Sequence, residues 1–191
     1  SRLDGYQLAA ASPGIGPELA KELTIWGPAH DSLWDTRHDA RSVNFFPLTG
    51  GDYCLSWTTA SGAEYSGRGG GRIYTQMFVV PRELLVRFSG DTFLVLRALA
   101  AAGRLIVHET VPASLPTVPL LGTSAPPDAS LLAQTLDEVG EGVFNELIEA
   151  VATSPTVAVL TSGHVERLFQ ALLHALPPAD RLQLSFTTGL K

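Results

Sequence analysis

Two stretches of the sequence combine residue types that could bind or transfer a charged group. The first is the loop Ser66–Arg72, in which four glycines stand beside Arg68 and Arg72. Glycine N–H groups can surround an anion, and arginine can bind one through paired hydrogen bonds. However, Walker-type and dinucleotide-binding loops must open a helix, and this loop leads into the strand-like run Ile73–Val80. We therefore interpret it as a hairpin connection rather than a phosphate site.

The same loop is a candidate for contact with a protein partner. Arginine is enriched among the residues that dominate binding energy at interfaces, and glycines allow close approach of another chain. The candidate partner-binding residues are Arg68, Gly69, Gly70, Arg72 and Tyr74. This hypothesis needs no catalytic residue and no cofactor.

The second stretch, Trp26–Asp39, concentrates histidine and aspartate. It contains His30, Asp31, Asp35, His38 and Asp39. These types ligate metals and act as general acids and bases, but the H-E-x-x-H spacing of zinc enzymes does not occur. The G-x-S-x-G turn that presents a nucleophilic serine is also missing from the sequence. We predict a solvated polar connector, without metal, and keep a small-molecule- or nucleotide-binding enzyme as the alternative.

The composition argues against two classes of protein, general nucleic-acid binders and proteins that bind anionic membranes. Of 191 residues, 13 are basic and 19 acidic, for a net charge of −6, whereas nucleic acids and anionic membranes attract basic surfaces. The single cysteine, Cys54, lies in a strand-like run and is interpreted as a buried apolar residue in a reduced, cytoplasmic compartment. Neither end of the chain resembles a finished terminus, so we expect a domain of a longer protein.

Periodicity predicts an α+β fold whose first half is an antiparallel β-meander. The strands are Ser42–Leu48, Tyr53–Thr59 and Ile73–Val80, separated by glycine-containing turns. Pro17 suits the first position of a helix, and Asp91 is placed to cap a leucine- and alanine-rich helix from Thr92. Leu105–Val107 is a further short strand candidate.

The second half is predicted to hold helices and a β-α-β unit. Helices are expected over 129–140, 141–152 and 165–176, and Thr156–Leu160 and Leu182–Thr187 as strands flanking the last helix. His174 is predicted to be a surface residue of that helix. The predicted divisions are a β-rich subdomain over 1–110, a proline-rich crossing segment over 111–128 and an α/β subdomain over 129–191, which could share one core.

Three groups of short phrases resemble the N-terminal domains of bacterial GTPase-associated proteins. They are Asp4-Gly5-Tyr6-Gln7-Leu8 with Ala11-Ser12-Pro13-Gly14-Ile15, Gly67-Arg68-Gly69-Gly70 before Ile73-Tyr74-Thr75-Gln76, and Pro177–Arg181 with Ser185-Phe186-Thr187-Thr188-Gly189. The resemblance implies a non-enzymatic adaptor in a multi-gene system. It also implies a partner that is a small Ras-like GTPase or a companion protein of the same gene cluster.

The resemblance leaves one further function open. Arg68 or Arg72 could be inserted into a GTPase as an arginine finger, a contact that raises hydrolysis about 10³–10⁵-fold. The chain would then be a GTPase-activating regulator rather than an adaptor.

Overall fold

Alternating apolar residues place the strands of this protein in one antiparallel sheet. The computed structural model describes residues 8–29, 32–34, 40–63, 71–161 and 164–190. Within them the strands are β1 (Arg41–Pro47), β2 (Tyr53–Ala63), β3 (Gly71–Val80) and β4 (Phe186–Thr187). The helices are α1 (Pro17–Ile25), α2 (Arg82–Arg87), α3 (Thr92–Ala101), α4 (Ala129–Val139), α5 (Glu141–Thr153), α6 (Val165–Ala175) and α7 (Pro178–Arg181). The predicted α+β class is confirmed.

The strand order is β3-β2-β1-β4, with every neighbouring pair antiparallel. The register places Phe45 of β1 opposite Leu55 of β2 on one side and Phe186 of β4 on the other. Because β1–β2 and β2–β3 are consecutive antiparallel pairs, the predicted meander is confirmed. The start of β2 and the end of β3 agree with the prediction, and the other limits differ from it by one to four residues.

One face of the sheet carries the main core. Side chains from β1 and β2 contact buried side chains of α2, α3 and α6. Phe45 stacks on Tyr53 and lies against Phe186, which in turn stacks on Phe93. This core includes Val43, Val118, Leu120, Phe169 and Leu173, so residues 1–110, 111–128 and 129–191 all contribute to it.

The opposite face divides into an apolar part and a polar part. Near the end of β1, Phe46 and Cys54 pack against Leu23 of α1. Farther along the same face the side chains become hydroxyls and one amide, yet they stay buried. These are Ser42, Asn44, Ser56 and Thr58.

The side chain of Asn44 joins three strands within this polar part. Its Nδ2 donates to Ser56 Oγ at 2.8 Å, and its Oδ1 accepts from Ser42 Oγ at 3.1 Å and from Thr187 Oγ1. Next to it, Thr188 Oγ1 accepts from the N–H of Val43 at 2.8 Å. These side-chain bonds add to the backbone pairing between β1 and β4, which suits a strand only two residues long.

The helices begin where the sequence provides caps. Asp91 accepts from Leu94 N at 2.9 Å and Asp128 from Leu131 N at 3.0 Å, which satisfies free N–H groups in the first turns of α3 and α4. Pro17 occupies the first turn of α1, as predicted. Helices α4, α5 and α6 share a separate apolar cluster around Phe144, Leu168 and Ala171.

The turn between α2 and α3 requires glycine. Gly90 has φ +70°, and a Cβ atom there would lie 2.9 Å from the carbonyl oxygen of Pro178 and 3.0 Å from Cβ of Arg181. Arg181 completes this contact, because its Nη1 donates to the Ser89 carbonyl at 3.1 Å and its Nε to the Leu176 carbonyl at 2.9 Å. Burial lowers the pKa of Arg181, while the charge of Asp91 opposes that shift.

The predicted β-α-β unit is not formed. Residues 156–160 have no regular structure, and Val159 packs on the cluster of α4–α6 while Leu160 is 90% exposed. The strand after α6 is restricted to Phe186–Thr187 and pairs antiparallel with β1. Of this segment only Val159 packs on the helices, and residues 156–160 pair with no strand, so the ladder that a parallel crossover requires is missing.

Leu105–Val107 is not a strand either. Leu105 packs against the main core, and the N–H of Ile106 donates to the side-chain oxygen of Gln76 at 3.1 Å. A side-chain acceptor replaces the backbone acceptor of a β-ladder here. Among the described residues, no helix has the length and apolar character needed to cross a membrane.

We expect Asn44→Ala to destabilise the fold by about 1–3 kcal/mol, because the hydroxyls of Ser42, Ser56 and Thr187 would lose a buried partner. Urea unfolding measures this loss, and faster amide exchange at Thr187 would locate it at β4. Asn145→Ala, at an exposed position in α5, is the matched control. Equal unfolding free energies for the two variants would contradict a structural role for Asn44.

The Cys54 thiol should make stability depend on alkaline pH. Burial, with a smaller contribution from the charge of Glu22, raises its pKa from 9.0 to about 12. The unfolded chain therefore loses this proton first, and native stability falls as pH rises from about 9 towards 12, by about 1.4 kcal/mol per pH unit. Below pH 9 this contribution is complete.

The difference in unfolding free energy between the native chain and Cys54→Ala isolates this titration from that of tyrosines and lysines. We expect any advantage of the native chain to shrink by about 2 kcal/mol between pH 8 and pH 10.5. A difference that stays constant over this interval would show that the thiol ionises equally in both states.

Candidate interaction groove

The core-facing side of the sheet becomes polar toward one end. Its cross-strand rows begin with apolar groups, and the third row joins Val43, Trp57 and Gln76. The fourth row joins Arg41, Thr59 and Tyr74. An antiparallel sheet places such neighbours about 5 Å apart, so the last row presents a cation, a hydroxyl and a phenol together.

A cavity of about 270 Å³ lies beside this end of the sheet, bounded by α3 and α6. Its floor is apolar and includes Val43, Trp57 and Phe93. Leu96, Ala100 and Leu105 complete the apolar lining, and Arg41, Arg97, Glu166 and Gln170 form the polar rim. Val43 and Phe93 expose almost none of their surface to this space, so polar side chains of the rim contribute much of the lining that solvent reaches.

The rim is closed on one side by an ion pair between β1 and α6. Arg41 Nε and Nη2 donate to the two carboxylate oxygens of Glu166 at 2.8 and 2.9 Å. Arg41 is 60% exposed and Glu166 19%, so solvent screens the pair and it adds little stability, about 0–1 kcal/mol. Its effect is geometric, because it holds both side chains in place and satisfies the charge of Glu166.

A second cavity of about 550 Å³ continues along the same helices. It shares Arg97 and Gln170 with the first and has Pro126 and Pro127 in its wall and His174 in its lining. We call the two cavities together the α3–α6 groove. Arg97 stands at their junction, where its Nη2 lies 3.8 Å from Asp91 Oδ2.

His174 connects three helices at the base of the groove. Its Nδ1 accepts from the N–H of Asp128 at 3.0 Å, and its Nε2 lies 3.1 Å from Asp91 Oδ2. An acceptor at Nδ1 assigns the proton to Nε2, which donates it to Asp91. The prediction of a surface histidine is wrong, because the side chain is 9% exposed. The carboxylate of Asp91, which caps α3, accepts this hydrogen bond from His174. Helical periodicity does not show such a contact between distant parts of the chain.

The five predicted partner-binding residues fall into two groups. Arg68, Gly69 and Gly70 lie outside the described residues. Arg72 Nη2 donates to Ser61 Oγ at 3.4 Å, and Tyr74 is half-buried in β3. Tyr74 shares its cross-strand row with Arg41, so the structure places it near the rim of the groove. Partner binding by these residues stays a prediction.

The predicted polar cluster of His30, Asp31, Asp35, His38 and Asp39 also lies outside the described residues. In the part of the chain that is described, no three side chains of histidine, cysteine, aspartate or glutamate are grouped as a metal would require. The predicted burial of Cys54 is confirmed, since the residue is fully buried.

The rim of the groove was not predicted from the sequence. Arg41 and Glu166 are 125 residues apart, and only the tertiary structure brings them together. One signal was available: Glu166, Gln170 and His174 follow each other at four-residue spacing, which forms a polar stripe along α6. All three line or face the groove.

A comparison with family models finds a match over more than half of the chain. The model described as GTPase-associated protein 1, N-terminal domain type 2, matches residues 1–117. This range contains the three long strands with α1, α2 and α3, and ends before α4. No curated protein and no solved structure matches the chain significantly.

We expect His174→Ala to destabilise the fold by about 1–3 kcal/mol, because it leaves Oδ2 of the buried Asp91 without its hydrogen-bond donor and frees the N–H of Asp128. Hydrogen exchange at Asp128 should quicken more than exchange in β2. His164→Ala, at an exposed position before α6, is the control and should change neither quantity. Unchanged exchange at Asp128 in the His174 variant would refute the connection.

Proposed function

The chain belongs to the family of type 2 N-terminal domains of GTPase-associated protein 1, and from this membership we propose that it is a non-enzymatic protein-interaction domain of a bacterial GTPase-linked system. Its proposed partner is a small Ras-like GTPase or a companion protein encoded in the same gene cluster. The family match over residues 1–117 is the observation that carries the proposal.

The proposed contact surface is the polar end of the sheet together with the residues that precede β3 in the sequence. It comprises Arg68, Gly69, Gly70, Arg72 and Tyr74. Two features support it. Arginine and tyrosine are the types that most often dominate interfaces, and Tyr74 lies in one row with the exposed Arg41.

The α3–α6 groove is a second observation that supports an interaction role. It places an apolar cavity within a rim of arginine, glutamate and glutamine side chains. Protein interfaces commonly combine an apolar centre, where an anchoring side chain is desolvated, with a polar rim. Tyr74 shares a cross-strand row with Arg41 of the rim, so we propose that one partner covers both.

Calorimetric titration of the domain with the GTPase of its gene cluster, loaded separately with GTP and GDP analogues, tests the proposal. An effector-type adaptor binds the GTP form more tightly. Arg72→Ala and Tyr74→Ala should each raise the Kd about tenfold, which corresponds to about 1.4 kcal/mol. Lys21→Ala is the control, because Lys21 is exposed on α1, which packs on the other face of the sheet.

If neither nucleotide form binds and no companion protein of the cluster binds, the proposed function is wrong. Hydrolysis assays on the same samples separate the two GTPase-linked roles. A rate that rises with the domain and falls again in Arg68→Ala or Arg72→Ala would make the domain a GTPase-activating regulator. An unchanged rate together with binding supports the adaptor.

A further inference from the structure

We propose that residues 115–119 form an exposed polyproline II segment, the proline ridge, which binds a groove lined by tryptophan or tyrosine side chains on a protein partner. Pro116 and Pro119 enter this groove, and donors on its aromatic side chains bind backbone carbonyls of the ridge. The inference rests on the proposed function in taking the domain to be an interaction module. It adds another contact surface and the chemistry of its partner, which the family membership does not specify.

The sequence of the proline ridge restricts its backbone to an extended conformation. Its five residues are Leu115, Pro116, Thr117, Val118 and Pro119. A proline ring fixes φ at about −65°, and the residue before a proline is sterically disfavoured in helical conformations. Of the five, only Thr117 escapes both constraints. Polyproline II satisfies both and needs no internal hydrogen bonds, and no residue of the ridge belongs to a helix or a strand.

Burial along this part of the chain has the period of a polyproline II helix. Such a helix has three residues per turn, and from Pro112 to Val118 every third residue is half-buried. The four residues between them are exposed, and so is Pro119. Pro116 and Pro119 are one turn apart, so their rings lie on one side of the ridge at a spacing of about 9 Å. The burial pattern and the proline spacing therefore indicate the same conformation.

The proline ridge is attached to the rest of the domain through its inner side. Leu115 donates its N–H to the Ala11 carbonyl at 3.1 Å, and Val118 packs against the main core. Leu120, directly after the ridge, packs against the same core. These attachments leave the two proline rings in solvent and set the backbone conformation before a partner binds. A preformed ridge loses little conformational entropy on binding.

The exposed side of the ridge offers apolar rings and hydrogen-bond acceptors. Proline has no N–H, so Pro116 and Pro119 contribute carbonyls without backbone donors. Ser12 Oγ donates to the Pro116 carbonyl at 3.4 Å, whereas the Thr117 carbonyl accepts no hydrogen bond from the part of the chain that the structure describes. Tryptophan and tyrosine complement this surface because each combines a flat apolar ring with a donor. Aromatic-lined grooves are a recurring way of binding polyproline II segments.

Titration of the chain with three capped pentapeptides tests the inference. Ser-Trp-Ser-Trp-Ser supplies aromatic rings with donors, and its analogues replace tryptophan with phenylalanine, a ring without a donor, or with leucine, an aliphatic group. The amide shifts of Thr117 and Val118, followed by NMR, give the Kd of each peptide. We expect the tryptophan peptide to bind most tightly, the phenylalanine peptide less tightly and the leucine peptide without saturation. Intermolecular NOEs should connect the tryptophan rings with Pro116 and Pro119.

Substitutions separate binding at the ridge from binding elsewhere. The double variant Pro116→Ala/Pro119→Ala should raise the Kd of the tryptophan peptide at least about tenfold, because both rings are lost from the contact. Thr117→Pro should leave this Kd unchanged or lower it, since a third proline fits a polyproline II backbone. Pro155→Ala, at an exposed position after α5, is the matched control and should have no effect. Circular dichroism and thermal unfolding confirm that each variant is folded.

Three results would each overturn the inference. The first is equal binding of the three peptides or no saturable binding of the tryptophan peptide. The second is an unchanged Kd in the double variant, or NOEs from tryptophan only to residues outside the ridge. The third is a Kd that rises as much in Thr117→Pro as in the double variant, which would contradict the polyproline II conformation.

These results are distinguishable from failure of the proposed function, which is measured with the proteins of the gene cluster. If one of those proteins binds the domain and the peptides fail, the ridge assignment alone is wrong. If the tryptophan peptide binds the ridge while no protein of the cluster binds, the proposed function is wrong and the ridge stands.

Discussion

The sheet depends on a strand whose two faces are both covered. Every residue of β1 between Ser42 and Phe46 is buried, and β2 and β4 pair with its two edges. Burial of Asn44 in this strand is costly unless its amide nitrogen and oxygen both have hydrogen-bond partners, since an unpaired buried amide loses water without a replacement. Contacts with hydroxyls of β1, β2 and β4 meet that requirement and, in doing so, determine which residues of β4 lie beside β1.

Local sequence signals predicted the first half of the fold well. The alternation in Tyr53–Thr59, the cap at Asp91 and the proline at residue 17 act over a few residues, so a short window contains their cause. The strand predicted over residues 156–160 is wrong because a short window shows composition but not the partner that a strand needs. Their β-branched composition is typical of a buried strand, but strand formation needs a partner at a sheet edge. Residues 156–160 have no such partner, and only Val159 packs on helices α4–α6.

The groove could be predicted only in fragments. The polar stripe on α6 was visible as a four-residue spacing, whereas its pairing with Arg41 depends on how α6 crosses the sheet. His174 shows the same limit in more detail. Helical periodicity placed it on the polar side of α6, and the carboxylate of Asp91, 83 residues away, turned that polar side toward the interior. Side-chain chemistry was therefore predictable, but its burial was not.

The buried contacts between helices and the exposed ion pair at the groove have different effects on the molecule. The buried cluster of Asp91, His174 and Arg181 attaches α3 to α6 and to the segment before α4, and its polar groups are engaged with one another or with the backbone. This cluster therefore fixes the spacing of α3 and α6 through buried groups. The exposed ion pair of Arg41 and Glu166, in contrast, matters for the shape of the rim rather than for the free energy of folding.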